Sequence, residues 1–71
     1  MKLQGIYEEQ KEIKAKDLKP GMVTIWNYGY KEIIKSVETS KTGKTIKAII
    51  ISESGKEFER RLGAERAVAI A

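Results

Sequence analysis

The sequence predicts an all-β fold, a five-stranded antiparallel barrel preceded by a loosely ordered N-terminal segment. Three observations support this fold class. Glycines recur at short intervals, apolar residues alternate between them, and no helical stripe of apolar residues runs along the chain. Regular turn signals between short alternating segments are typical of barrels and sandwiches. A chain of 71 residues has room for one small core, which favours a bent barrel over two packed sheets.

The start of the chain is expected to differ from the rest. Residues 1–10 contain few apolar side chains, so we expect a tail or a short extra strand there and the barrel over 11–71. Alternation across 12–16 fits a strand better than a helix. The segment Leu18-Lys19-Pro20-Gly21 predicts a turn, because proline holds φ at about −65° and glycine accepts a positive φ at the next position.

Glycines at 21, 29, 43, 55 and 63 punctuate five expected strands. These strands cover 22–26, 31–39, 45–52, 57–62 and 67–71. The third has isoleucines on both faces and should be central in the sheet. The core expected from alternation contains Ile13, Leu18, Val23, Ile25, Ile33, Val37, Ile46, Ala48, Ile50, Phe58, Leu62, Val68 and Ile70.

Composition narrows the range of functions. The chain has no cysteine and no histidine, so it lacks thiolate chemistry, the usual neutral-pH general base and the commonest zinc ligand. We therefore expect no enzyme activity, no cofactor and no metal. The net charge of +4 describes a mildly basic surface. No apolar run reaches the ~18 residues of a membrane span, and residues 1–5 lack the apolar core of a signal peptide. A cytoplasmic location without a membrane partner is the default expectation.

Several motifs point to one family. They are Asp17-Leu18-Lys19-Pro20-Gly21-Met22-Val23, Gly43-Lys44, Ser54-Gly55-Lys56, Phe58 and Ala71. In this order, over 16–71, they resemble an SH3-like barrel of translation and transcription factors, and especially the N-terminal KOW-like domain of elongation factor P and its eukaryotic relative. The resemblance implies that Lys44 matches a hairpin lysine that reaches toward transfer RNA and is modified in that family. Thr42 and Thr45 stand where the family has proline and glycine.

An aromatic group follows the predicted turn. Trp26, Tyr28 and Tyr30 fall within five residues, and strand alternation would place all three on one side. Such a group can stack nucleic-acid bases or line a groove for proline-rich peptides. Alternatively, Trp26 plugs one end of the barrel and the tyrosines shield a turn.

Basic residues form the second candidate group. Lys41, Lys44 and Lys47 lie in a stretch without acidic residues and can bind phosphates around a hairpin tip. Alternatively, they are solvated lysines that keep a sheet edge from pairing. Gly43-Lys44-Thr45 is similar to the end of a P-loop, but the required earlier glycine is replaced by Glu38, so a hairpin is favoured. Arg60 shares a strand face with Phe58 and is expected at the barrel rim.

The sequence thus predicts a small non-enzymatic binding module. The expected partner is RNA, single-stranded nucleic acid or a nucleoprotein surface. The residues expected to bind it are Trp26, Tyr28, Tyr30, Lys41, Lys44, Lys47 and Arg60. The alternative is a protein-interaction or oligomerisation module, including a phage-type accessory or inhibitor protein, because the isoleucine run leaves apolar groups on both strand faces.

Overall fold

Six strands form one open sheet in the computed structural model, which describes residues 1–71. The strands are β1 (Lys11–Lys14), β2 (Val23–Ile25), β3 (Lys31–Thr39), β4 (Thr45–Ser52), β5 (Glu57–Gly63) and β6 (Ala67–Ile70). Their order is β1-β6-β2-β3-β4-β5, and every neighbouring pair is antiparallel. The all-β prediction is confirmed. The prediction of a five-stranded closed barrel is wrong, because β1 adds a sixth strand and both β1 and β5 remain sheet edges.

The expected turn before β2 is confirmed. The Met22 backbone N–H donates to the Lys19 carbonyl at 3.2 Å, which closes a turn around Pro20 and Gly21. Gly21 has φ of 92°, a conformation that a side chain with a Cβ adopts only at a cost. The same turn brings Leu18 into the core. Local chemistry alone therefore explains where β2 begins.

The sheet folds over a single main core. Val68 of β6 and Leu62 of β5 lie at nearly opposite sides of the sheet order, yet both belong to one buried cluster. The complete cluster is Ala15, Leu18, Ile34, Ile46, Ala48, Ile50, Leu62 and Val68. Ala15 begins a short 3₁₀ turn, Ala15–Asp17, that ends β1 and packs beneath β4 and β5. No helix in this structure has the length and apolar character needed to cross a membrane.

A bulge in β3 decides which isoleucine is buried. The register pairs Ile34 with Ile50 and then Ser36 with Ile49, so Lys35 is an extra residue. Because a bulge reverses the alternation of faces, Ile34 and Val37 both face the core although they are three residues apart. The expectation that Ile33 and Val37 share the core face is therefore wrong. Ile33 is 47% exposed and Ile34 only 2% exposed.

Phe58 is a second correction to the expected core. Phe58 is 39% exposed, because β5 is an edge strand with no further strand to cover it. Val23 is only half-buried, since its side chain lies on the outer face of the sheet with Ile33. Ile25 is buried, but in a smaller cluster with Leu3 and not in the main core.

The N-terminal segment contacts the sheet through a few of its residues. Residues 1–10 form no strand; they lie on the outer face of β2 and β6. Leu3 is only 8% exposed and packs with Ile25 and Ala69. Gln4 is tied to the turn after β2, because its carbonyl accepts the Tyr28 backbone N–H at 2.7 Å. The segment therefore covers apolar surface that two strands would otherwise expose.

Ion pairs hold the corner between β1 and β6. The ammonium groups of Lys14 and Lys16 lie 2.8 and 3.0 Å from the carboxylate of Glu65. Hydrogen bonds from Lys14 and then Lys16 lower the pKa of Glu65, and the hydrogen bond to Glu65 raises the pKa of Lys14. Both side chains are exposed, so their effect on stability is small and sensitive to salt.

The bulge can be tested with a pair of adjacent substitutions. Ile34→Val is expected to lower the free energy of unfolding by about 0.5–1.5 kcal/mol, the usual cost of removing a buried methylene. Ile33→Val is expected to change it by less than about 0.5 kcal/mol, as at exposed positions. Urea denaturation measures both. Equal losses would contradict the assignment of the bulge.

The ion pairs of Lys14 and Lys16 with Glu65 predict that the stability of the protein depends on pH. Because the folded-state pKa of Glu65 is lowered, its contribution is present above the ~4.3 of a free glutamate and disappears as the pH falls through the folded value. Glu65→Gln should therefore lower Tm slightly at pH 7 and leave it unchanged at low pH or in ~1 M salt. Thermal melts of both proteins provide the measurement, and a Tm difference that persists in acid would contradict this assignment.

Candidate functional site

An open groove lies where the turn between β2 and β3 meets the turn between β4 and β5. Its volume is about 450 Å³. Its walls are formed by Trp26, Tyr30, Lys31, Glu32, Ser52, Glu53, Ser54 and Arg60. Three of the residues selected from the sequence, Trp26, Tyr30 and Arg60, are therefore brought together at one end of the sheet.

Trp26 is both part of the core and a wall of the groove. It is half-buried and packs against the main cluster. Its indole Nε1–H donates to the Thr24 hydroxyl at 3.0 Å, so the polar edge of the ring is satisfied. The guanidinium carbon of Arg60 lies 4.3 Å from the ring centroid and that of Arg66 lies 5.8 Å away. These distances are within the range of cation–π attraction.

Arg60 is held in place by a buried carboxylate. Its Nε and Nη2 groups donate to the two oxygens of Glu32 at 2.7 and 2.9 Å, a bidentate pair. The Glu32 side chain is 7% exposed and the Arg60 side chain 34%. Since Glu32 balances its charge, Arg60 offers a flat, fixed guanidinium plane and no free positive charge. Arg60 shares the inner face of β5 with Leu62, as alternation predicts, but the expected barrel rim does not exist because the sheet is open.

The tyrosines separate, because the chain between them does not continue as a strand. Asn27–Gly29 forms a short 3₁₀ turn, and the Trp26 backbone N–H donates to the Tyr30 carbonyl at 2.8 Å. Tyr30 is 65% exposed and lines the groove. Tyr28 is 63% exposed, but its ring lies against Gly5, where any Cβ would clash with it. The expectation that strand alternation places all three aromatics on one side is corrected.

Tyr28 also has an uncommon backbone. Its φ is 65°, a left-handed conformation that is rare for a bulky residue. Two hydrogen bonds to Gln4 support it: Tyr28 N–H donates to the Gln4 carbonyl, and Gln4 N–H donates to the Asn27 side chain at 3.0 Å. The unusual turn therefore depends on the packed N-terminal segment.

The selected lysines lie at the far end of the β3–β4 hairpin. Lys41 and Lys44 are exposed at its tip and make no ion pair, whereas Lys47 lies 3.4 Å from Glu38 and 3.9 Å from Glu59. Since β3 has nine residues, this tip is about 30 Å along the strand from Tyr30. A second open groove, of about 380 Å³, lies beside Lys47 and Arg61. The aromatics and the free lysines thus belong to two separate surfaces.

Two residues of the aromatic end, Glu32 and Arg66, lie outside the set predicted from the sequence. Regular alternation along β3 places Ile33 and Val37 inward and Glu32 outward, whereas the bulge lets Glu32 face inward with Ile34. Arg66 follows β5 in a loop, and only the tertiary structure brings it to Trp26. The inward position of Arg60 was the one available signal that a buried acid would be needed nearby.

Comparisons with known proteins found no matching protein family, no matching curated protein and no matching solved structure. The structure brings together no group of three or more side chains that could hold a metal ion. The geometry of the aromatic groove is therefore the basis for assigning a function.

Substitutions of Arg60 and of Glu32 should lower the free energy of unfolding by different amounts. Arg60→Met leaves a buried carboxylate unpaired and should lower the free energy of unfolding by about 2–4 kcal/mol. Glu32→Gln keeps one acceptor for an arginine that water can reach, so its cost should be about 1 kcal/mol. Urea denaturation of the two variants, with the double variant completing a cycle, measures the coupling. A larger loss for Glu32→Gln would contradict the burial of this carboxylate.

Proposed function

We propose that this chain is a small RNA-binding module whose primary contact is the aromatic groove. The observation that carries the proposal is the exposed ring of Tyr30 beside the Trp26–Arg60 stack. Exposed aromatic rings and guanidinium planes next to a polar groove are the surfaces on which single-stranded bases stack. Each stacked base contributes roughly 1–3 kcal/mol.

Charge around the groove supports an anionic polymer as the ligand. Lys31 lines the groove and Arg66 lies beside Trp26; neither has a side-chain ion-pair partner within 4.0 Å. Glu53 is the one exposed acid in the lining, and it accepts the Lys31 backbone N–H at 3.2 Å. With a net charge of +4, the chain attracts phosphates at moderate salt. Ser52 and Ser54 add hydroxyl groups for sugar or phosphate contacts.

The hairpin tip provides a second, electrostatic contact in this proposal. Lys41 and Lys44 are exposed and unpaired at the tip, where they can follow a strand that leaves the groove. The resemblance to the N-terminal domain of elongation factor P points the same way, because the lysine that Lys44 matches reaches toward transfer RNA in that family. Lys47 is assigned a weaker role, since two glutamates already surround its ammonium group.

A protein-interaction module is the second candidate function. The outer face of the sheet supports it, because exposed Ile33 lies directly opposite Val23 on β2 and Ile51 on β4. This apolar row continues beside the surface that the N-terminal segment covers. The row lies on the opposite face of β3 from Glu32, which lines the groove, so the two functions can be separated by mutation.

RNA binding is tested by titrating a labelled single-stranded RNA of about 12 nucleotides, followed by fluorescence anisotropy. We expect binding at ~50 mM salt that weakens at ~200 mM. Tyr30→Ala should weaken it roughly 5- to 150-fold, the loss of one stacked base. The double variant Lys41→Ala/Lys44→Ala should reduce the salt slope by about 1.4, or 0.7 for each phosphate contact.

Two controls make the test specific. Tyr7→Ala removes a tyrosine that is 100% exposed outside the groove, and it should leave RNA affinity unchanged. Ile33→Ser alters the outer face and should also leave it unchanged. Absence of binding at low salt would refute the proposal, and so would an equal effect of the two tyrosine substitutions.

A further inference from the structure

The free edge of β5 is a long stretch of unpaired backbone at one side of the sheet. At the opposite edge of the sheet, β1 has only four residues. In contrast, β5 has seven residues, contains no proline and pairs with β4 without a bulge. Long, regular edge strands invite pairing with another strand.

Hydrogen-bond alternation identifies which backbone groups are free. The Ser52 N–H donates to the Lys56 carbonyl, and the Ala64 N–H donates to the Lys44 carbonyl. In the β4–β5 register these contacts place every even-numbered residue of β5 in a hydrogen-bonded pair with β4. The N–H and C=O groups of Glu57, Glu59 and Arg61 therefore point away from the sheet, toward an open edge.

The charged side chains along this edge are complementary to those of a second, antiparallel copy of β5. Glu59 and Arg61 lie on the same face of β5, on either side of Arg60. If two copies of β5 pair antiparallel with Arg60 at the two-fold axis, Glu59 of each copy lies opposite Arg61 of the other. A two-fold axis at Glu59 or at Arg61 would instead place like charges directly opposite each other, which is destabilising.

The same register satisfies the other requirements of a strand pair. It places the free groups of Glu59 and Arg61 in two hydrogen-bonded pairs, which form about four hydrogen bonds between the chains. On the inner face, Phe58 would lie opposite Leu62 of the second copy, and its exposed ring would gain cover. The two Arg60 side chains meet at the axis, but each is already neutralised by its own Glu32.

We propose that β5 is a self-association edge, through which two copies of this chain join their sheets antiparallel about Arg60. The inference rests on the edge of β5 and not on RNA binding, and the two surfaces share Arg60, which lines the groove and would lie at the two-fold axis. One strand pair is a small interface, so the dimer should be weak and should form at high micromolar concentration.

Charge reversal tests both the edge and the register. Sedimentation equilibrium of the wild type should show the mass rising from 8.0 kDa toward twice that value as concentration increases. Glu59→Arg and Arg61→Glu should each remain monomeric, because each variant places like charges at both paired positions. An equimolar mixture of the two should dimerise, since every pair then combines opposite charges. The double variant Glu59→Arg/Arg61→Glu should also dimerise.

Controls separate the edge from net charge and from folding. Glu8→Arg and Lys19→Glu make the same charge changes at exposed positions away from β5, and both should dimerise like the wild type. Glu59→Pro removes a free edge N–H without breaking the β4 ladder; it should remain folded by circular dichroism and monomeric. A wild type that is monomeric at ~1 mM would overturn the proposal, as would a mixture of the two charge variants that stays monomeric.

Discussion

The bulge at Lys35 is the constraint on which the rest of this structure depends. A chain of 71 residues buries one core only if its longest strands bend around it. The extra residue in β3 bends that strand and increases its twist. It also directs the side chains of both Ile34 and Val37 toward the core. Glu32, two residues before Ile34, faces inward as well. The bend thus determines both which side chains form the core and which polar side chain faces inward at the end of the sheet.

The inward position of Glu32 leads to the most unusual feature of the molecule. A buried carboxylate is costly unless a cation and hydrogen bonds compensate it. Arg60 provides both, and its guanidinium group then lies over Trp26. One end of the sheet is therefore covered by an ion pair and an indole ring and not by aliphatic side chains. This arrangement leaves an open polar groove with one aromatic wall, a surface that suits a base better than an aliphatic ligand.

The two ends of strands β3, β4 and β5 and the open edge of β5 carry different types of side chain. Aromatic and guanidinium groups gather at one end, and free lysines gather at the hairpin tip, about 30 Å along β3. The remaining boundary is the open edge of β5, where charges of both signs alternate. The proposed RNA contact and the proposed self-association edge share Arg60, which lines the groove and would lie at the two-fold axis. A dimer joined at β5 would also carry two grooves and two lysine tips.

Sequence alone determined the features that depend on local chemistry. The turn at Pro20 and Gly21 and the interior position of β4 follow from backbone preferences and from the isoleucine run, and both were predicted. Trp26, Tyr30 and Arg60 were also selected as candidates, because their residue types are informative wherever they lie. The face of β5 that Arg60 occupies also followed from simple strand alternation.

Only the tertiary structure decided the features that depend on distant partners. The pairing of β1 with β6, the docking of Leu3 on Ile25 and the approach of Arg60 to Glu32 join residues far apart in the chain. No local pattern encodes them. The bulge is subtler, because one extra residue reverses every later assignment of faces and leaves no signal in the composition. For this reason Ile33 was expected in the core, where Ile34 lies, and the aromatic residues were expected on a single surface that the turn at Asn27–Gly29 divides.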